Sequence, residues 1–149
     1  MTLGWRDADG LPAEGGAYAL VVEVPRPFEP PIRRLAGQRL PPGRYLYGGT
    51  ANGPGGIRAR VRRHLKRKKK VHWHVDHLTR AFGVAAVFAV VGGDECAILA
   101  AARRWPGVRV PVPGFGSSDC ARCPAHLVSL PDDLDLASLG PDGGLLVLA

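Results

Sequence analysis

Glycine and proline punctuate this chain so densely that they limit what it can fold into, with 20 Gly and 14 Pro among 149 residues. Glycine adopts backbone angles that other residues avoid, and proline withholds an N–H, so turns are many and helices few or short. The length suits one domain with a single core. The longest apolar run, Phe82 to Val91, holds about ten residues, half of the roughly 20 that cross a bilayer. Arg6 and Asp7 bring charge too early for a secretory signal. A cytoplasmic protein with no membrane partner is the expectation. Three cysteines, an odd number, argue for reduced thiols rather than a disulfide framework.

Between these breaks the apolar pattern gives the elements. Residues 1–15 lack periodicity and read as a loose arm. Gly16 to Val24 is a strand stopped by Pro25-Arg26-Pro27, Ile32 to Ala36 a second, and Arg44 to Gly49 a third after the Pro41-Pro42-Gly43 turn. A glycine-rich loop, Asn52 to Gly56, leads into a helix in which Ile57, Val61 and Leu65 recur every four residues as a buried stripe. His74 to Phe82 is a short helix and Val84 to Val91 a buried strand. Asp94 caps a helix from Glu95 to about Arg104. His126 to Leu130 is a further strand, followed by a helical turn and an edge strand at Leu145 to Leu148. Strands and helices mix without regular alternation, which predicts an α+β fold, one small sheet with helices.

The charge is concentrated. Arg58, Arg60, Arg62, Arg63, Lys66, Arg67, Lys68, Lys69 and Lys70 lie together with no acid among them, and removing these nine from the net +7 leaves −2 for the rest. A patch of that kind tracks a polyanion by releasing counterions from its phosphates. No apolar anchors accompany the lysines, so nucleic acid is expected over a membrane surface. On the helical wheel Arg60 and His64 border the buried stripe, whereas Arg58, Arg62 and Lys66 point into solvent, free to meet phosphates. With Arg63, Arg67, Lys68, Lys69 and Lys70, and with Trp73 as an aromatic that could stack on a base, they form the candidate nucleic-acid surface.

The order of parts carries further information. Gly16-Ala17-Tyr18 opens the first strand and Tyr47-Gly48-Gly49 closes the third; Arg60 and His64 follow on one helix, then Glu95 at the start of another. This arrangement resembles the GIY-YIG nuclease superfamily. Residues 42–47, 57–64, His72-Trp73-His74-Val75-Asp76, Glu95-Cys96 and 114–120 resemble in particular the Uri-type endonuclease family, some of whose members are fused to endonuclease III-like DNA glycosylases. The likeness runs from about Gly16 to Leu130. It implies a nuclease domain over 16–130, with 1–15 an N-terminal arm and 131–149 an extension packed on the same domain. It also implies a small, mostly antiparallel central sheet flanked by helices.

The resemblance assigns roles. Tyr18 and Tyr47 would line the site, one as base or orienter of the attacking water. Arg60 would hold the scissile phosphate, and His64 would contact it or assist proton transfer. Glu95 would be the sole protein ligand of Mg²⁺ or Mn²⁺. The substrate would be DNA, with RNA open, and a DNA-repair protein is the partner the glycosylase fusions suggest; oligomeric state is not indicated. Alanine at 17 and glycine at 48 depart from the family pattern, and Gly48 is expected to loosen its strand. The asparagine that many members carry after the glutamate helix has only Ser117, Ser118 or Asp119 as candidates. Asp76 could orient a histidine or lie near the metal.

One cluster points elsewhere. Cys120-x-x-Cys123-x-x-His126 has zinc-ligand spacing, and His74 could supply a fourth position for Zn²⁺. The chain lacks the His-x-Glu of a zinc deaminase. Two alternatives to an endonuclease therefore stand: a non-catalytic nucleic-acid-binding module of the same fold, and a zinc-stabilised interaction domain.

Overall fold

Nine apolar-rich residues, Gly16–Val24 (β1), form the middle strand of a five-stranded sheet in the computed structural model, which describes residues 2–115, 125–138 and 145–148. The other strands are β2 (Gly43–Ala51), β3 (Ala86–Val91), β4 (Leu127–Leu130) and β5 (Leu145–Leu148), in the order β4-β2-β1-β3-β5. Each neighbouring pair is antiparallel. Three helices flank the sheet: α1 (Gly56–Leu65), α2 (His74–Phe82) and α3 (Glu95–Arg103). The predicted α+β class holds, and the last strand does lie on an edge.

Alternate residues of β1 face opposite ways, and both faces are covered. On one side Tyr18, Leu20 and Val22 pack with Tyr45 and Tyr47 of β2 under Ile57, Val61 and Leu65 of α1 and Val75 and Leu78 of α2. On the other, Ala17, Ala19 and Val21 pack with Leu46 and Phe88 under Ile98, Leu99 and Ala102 of α3. Double coverage explains why β1 reads as a continuous apolar run rather than an alternating one. Ile57 and Val61 are fully buried, each contributing about 2 kcal/mol of apolar transfer energy. Among the described residues no helix is long and apolar enough to cross a membrane.

Two segments differ from expectation. The second predicted strand is instead a 3-10 turn, Arg33–Leu35, with only an isolated bridge between Phe28 and Leu40 nearby. Pro30 and Pro31 remove ladder donors just before it, and the chain closes local bonds such as Leu35 N to Ile32 O at 3.0 Å. The N-terminal arm is not loose: Trp5–Gly10 is a 3-10 helix, and Leu3, Ala8 and Leu11 are buried. The cause lies at the start of α1. Its cap residue, Gly55, has no side chain to satisfy the first free N–H groups. The arm supplies the acceptors, with Ile57 N to Glu14 O at 3.0 Å and Arg58 N to Pro12 O at 2.9 Å. Gly56 permits this approach, since a Cβ there would lie 2.1 Å from Ala13 O.

Candidate functional site

The Tyr18 hydroxyl lies 2.7 Å from His64 Nε2. The contact joins the sheet to α1, because Tyr18 is the third residue of β1 and His64 stands on the border of the helix's apolar stripe. Directly opposite Tyr18 across the ladder is Gly49. A Cβ at that position would fall 2.4 Å from the Tyr18 hydroxyl oxygen, so only glycine leaves room for the ring. Tyr47 sits on the same face, its ring edge-on to His64 at 6.2 Å. Gly48 faces the other way, and a Cβ there would lie 3.1 Å from Leu99 Cγ. It seats α3 close against the strand rather than loosening it.

Thr50, near the end of β2, connects the two faces of the sheet. Its carbonyl accepts from Arg60 Nη1 at 3.1 Å, and its hydroxyl donates to the Glu95 carboxylate. Glu95 is half-buried in the first turn of α3, where an acid is favoured by the helix dipole. Arg60 comes from α1 on one face and Glu95 from α3 on the other, and one residue holds both. The predicted constellation of Tyr18, Tyr47, Arg60, His64 and Glu95 is thereby gathered.

The electrostatics are those of a buried site. Burial pushes the Tyr18 phenol well above its ordinary value, helped by Tyr47 and opposed by the Arg60 guanidinium beside it. Burial does the same to Tyr47, with the Asp76 and Glu95 charges adding and Arg60 opposing. The His64 imidazole is pushed down to about 3, by burial first and then by Lys69, with Asp76 opposing and Arg63 and Arg60 adding. At neutral pH His64 is therefore an uncharged acceptor or donor, not a cation.

Asp76 lies beneath this histidine, fully buried at the start of α2. Its carboxylate accepts from the backbone N–H of His72 at 2.8 Å and of Trp73 at 2.9 Å, which caps α2. Arg63 binds it through both terminal nitrogens at 3.1 and 3.0 Å. Burial alone would raise the carboxyl; the Arg63 and backbone hydrogen bonds outweigh it and bring the group down to about 2. Two guanidiniums approach the Trp73 ring, with Arg60 Cζ 4.5 Å and Arg63 Cζ 4.4 Å from its centre. Both arginines already stack on this ring, so it holds Arg60 and Arg63 rather than offering an open platform for a base.

Beside Arg60 and Arg63 opens a cleft of about 170 Å³, lined also by Ala51, Gly53, Pro54, Gly56 and Ala59. The helix N–H groups of Ile57 and Arg58 are already bonded to the arm. An anion in the cleft would therefore be met by guanidiniums, not by the helix terminus. The rest of the basic segment divides. Arg58 Nε donates to Leu11 O at 2.7 Å, and Arg62 pairs with Asp9 at 2.7 Å. The prediction that these two extend freely into solvent is corrected, because the arm stands where the helical wheel showed open space. Arg67 donates to the carbonyls of Arg80 and Ala81 and Lys69 to that of His64. Lys66, Lys68 and Lys70 are exposed.

The ligand atoms of Glu95, Cys96 and His126 all lie within 4.8 Å of one another and could hold a metal ion. Cys96 is disulfide-bonded, contrary to the expectation of reduced thiols, and a disulfide sulfur offers no thiolate. In that form the set reduces to a carboxylate and an imidazole. Glu95, as a carboxylate oxygen donor held by the Thr50 hydroxyl, suits a hard ion that keeps most of its waters, such as Mg²⁺ or Mn²⁺. Of the predicted zinc ligands, His126 lies with Glu95 and Cys96, and the His74 ring packs on Phe115 at 5.5 Å. Cys120 and Cys123, with Ser117, Ser118 and Asp119, lie outside the described residues.

Sequence reasoning did not give Thr50 or Gly49 a role. Thr50 acts half through its main chain, which no residue pattern reveals. Gly49 was legible only as part of a motif, until the ladder register set it against Tyr18. A family model described as a domain of unknown function, DUF123, matches residues 17–139. No curated protein and no solved structure matches the chain.

Proposed function

For this chain, which belongs to the family of domains of unknown function DUF123, we propose the activity of a metal-dependent endonuclease of the GIY-YIG, Uri-type kind, hydrolysing DNA phosphodiesters. One observation carries the proposal: Thr50 is bonded to both Arg60 and Glu95, and Arg60 lines a cleft and lies beside the Tyr18 phenol that is bonded to His64. Phosphodiester hydrolysis needs a cation fork for the phosphate, a path for the water's proton and a site for a divalent ion. Those are the groups brought together.

The scissile phosphate sits in the cleft against Arg60, with Arg63 adjacent, and the guanidinium fork neutralises charge that builds on its oxygens. Trp73 restricts the guanidinium planes, so orientation is settled before substrate arrives. Tyr18 orients the attacking water, and its hydroxyl is held at 2.7 Å by His64, an uncharged imidazole at neutral pH towards which the phenol proton moves in the transition state. Glu95 would hold Mg²⁺ or Mn²⁺, supplying Lewis-acid polarisation and leaving-group stabilisation when bound. Lys66, Lys68 and Lys70 follow the flanking backbone.

The test is cleavage of labelled single-stranded, duplex and branched DNA, with an RNA control, in Mg²⁺ or Mn²⁺. The wild type is expected to cut. Glu95→Ala is expected to bind with similar affinity and to lose cutting by a factor on the order of 10³ or more. A wild type that binds DNA yet cuts no substrate with either ion overturns the endonuclease and leaves a nucleic-acid-binding module.

A further inference from the structure

We propose that Asp76 is a positioning residue that sets the tautomer of His64 and, through it, the direction of the Tyr18 hydroxyl proton. The mechanistic part of this inference rests on the endonuclease reading; the tautomer does not. Asp76 Oδ2 is saturated by the N–H groups of His72 and Trp73 and by Arg63 Nη2 at 3.0 Å. Oδ1 accepts from Arg63 Nη1 at 3.1 Å and faces His64 Nδ1 at 3.7 Å. Both side chains are fully buried, and Nδ1 has no hydrogen-bond partner among the described residues. The carboxylate is fixed from three sides, so the imidazole must adapt to it.

A neutral imidazole carries one N–H, on either nitrogen. With Nδ1 bare, its lone pair would confront a carboxylate oxygen where both side chains are fully buried and solvent screening is weak. With Nδ1 protonated, an N–H dipole points at that oxygen. The other charged groups facing the ring, Arg60, Arg63 and Lys69, disfavour an added proton and keep the ring neutral, so the choice is between tautomers. The carboxylate selects Nδ1–H, and Nε2 becomes the acceptor.

Tyr18 then has one option at 2.7 Å: its hydroxyl donates to Nε2 and leaves its oxygen lone pairs to accept, beside the Arg60 guanidinium. In the reaction a proton leaves the water for the Tyr18 oxygen as the Tyr18 proton passes to Nε2. The water oxygen bonds to phosphorus, and the bond from phosphorus to the leaving oxygen breaks with its electron pair. The leaving oxygen takes a proton from solvent, and the imidazolium faces the Asp76 carboxylate. In the other tautomer Nε2–H would donate to Tyr18, whose own proton would point at the water and block the relay.

Asp76→Asn separates capping from charge. Its amide oxygen can replace Oδ2 and keep the His72, Trp73 and Arg63 Nη2 bonds, while its NH₂ replaces Oδ1, gives up the Arg63 Nη1 bond and presents a donor to Nδ1. The tautomer should switch. The experiment is a long-range ¹H–¹⁵N correlation of the labelled full chain at pH 7, with His64 assigned by its loss in His64→Gln. The expected result is an unprotonated Nε2 in the wild type and in Asp76→Glu, and an unprotonated Nδ1 in Asp76→Asn. A wild type protonated on Nε2, or the same tautomer in Asp76→Asn, overturns the proposal. If Asp76→Asn does not fold, the wild-type spectrum alone decides. In the cleavage assay Asp76→Asn should lower kcat by about 10²-fold or more with KM nearly unchanged, and Asp76→Glu should recover part of it. A change confined to KM overturns the positioning role. A wild type that cuts nothing sinks the endonuclease and leaves the spectrum to judge Asp76.

Discussion

Replacing Gly49 by alanine would place a methyl carbon 2.4 Å from the Tyr18 hydroxyl oxygen, 2.5 Å from Cζ and 3.0 Å from Cε1. The obstacle is a buried aromatic ring in the middle of a ladder, not the end of a flexible chain, so the ring must move by about 1 Å to restore ordinary van der Waals contact. Two costs follow. Overpacking of this kind costs about 1–3 kcal/mol. Breaking the Tyr18–His64 bond leaves buried polar atoms unpaired, at about 1–3 kcal/mol more. Taking about 3 kcal/mol as a working value, a domain of this size should lose roughly 6–12 °C in Tm. Turnover should fall by about 10²-fold or more, since Tyr18 no longer faces its acceptor, while DNA affinity stays close to wild type. The neighbouring Gly48→Ala is the control: its methyl would meet Leu99 side-chain carbons at 3.1 and 3.2 Å on the opposite face. Those aliphatic atoms can give way, so about 1 kcal/mol is expected, with turnover preserved. Thermal denaturation followed by circular dichroism, with cleavage on the same preparations, measures both. A Gly49→Ala protein with wild-type Tm and turnover would refute the packing argument, as would a Gly48→Ala protein that loses turnover as heavily.

The histidine makes stability depend on acid. Its folded value, about 3, lies below the ordinary 6.5, so its contribution is complete above pH 6.5 and is lost as pH falls towards 3. Between pH 6.5 and pH 4 this amounts to about 3 kcal/mol. Urea titrations should show that loss in the wild type and a much smaller one in His64→Gln; parallel curves would refute the buried neutral imidazole. On the surface, replacing Lys66, Lys68 and Lys70 together by alanine should reduce the slope of log affinity against log salt by about 2–3. Arg58→Ala with Arg62→Ala should leave it nearly unchanged, because those side chains are bonded to the arm; fluorescence anisotropy across a salt series distinguishes the cases.

The elements nearest the site were legible because local chemistry determines them. The four-residue stripe of Ile57, Val61 and Leu65 made α1 recognisable, and it put Arg60 and His64 on the border where they meet β1 and β2. Asp94 announced the start of α3, where its carboxylate accepts the Cys96 backbone N–H. What failed depended on chain segments far apart. A helical wheel gives the direction of Arg58 and Arg62 but not that residues 5–10 stand there. The segment 32–36, set between proline breaks, read as a strand, although a strand needs a partner with free donors and acceptors. The approach of His126 to Glu95 depends on β4 pairing with β2 beneath α3, a contact that spacing along the chain cannot express.

The arm's carbonyls alter where this domain begins. The region shared with its family starts at residue 17, yet the first turn of α1 finds its acceptors at Pro12 and Glu14. The helix bearing Arg60, Arg63 and His64 is therefore finished by residues that a boundary drawn at the first strand would leave behind. Those residues act as a detached cap, contributed from upstream of the sheet to a helix downstream of it. The smallest unit able to hold this helix in place is set by hydrogen-bond completion, and its border lies several residues ahead of the shared motif.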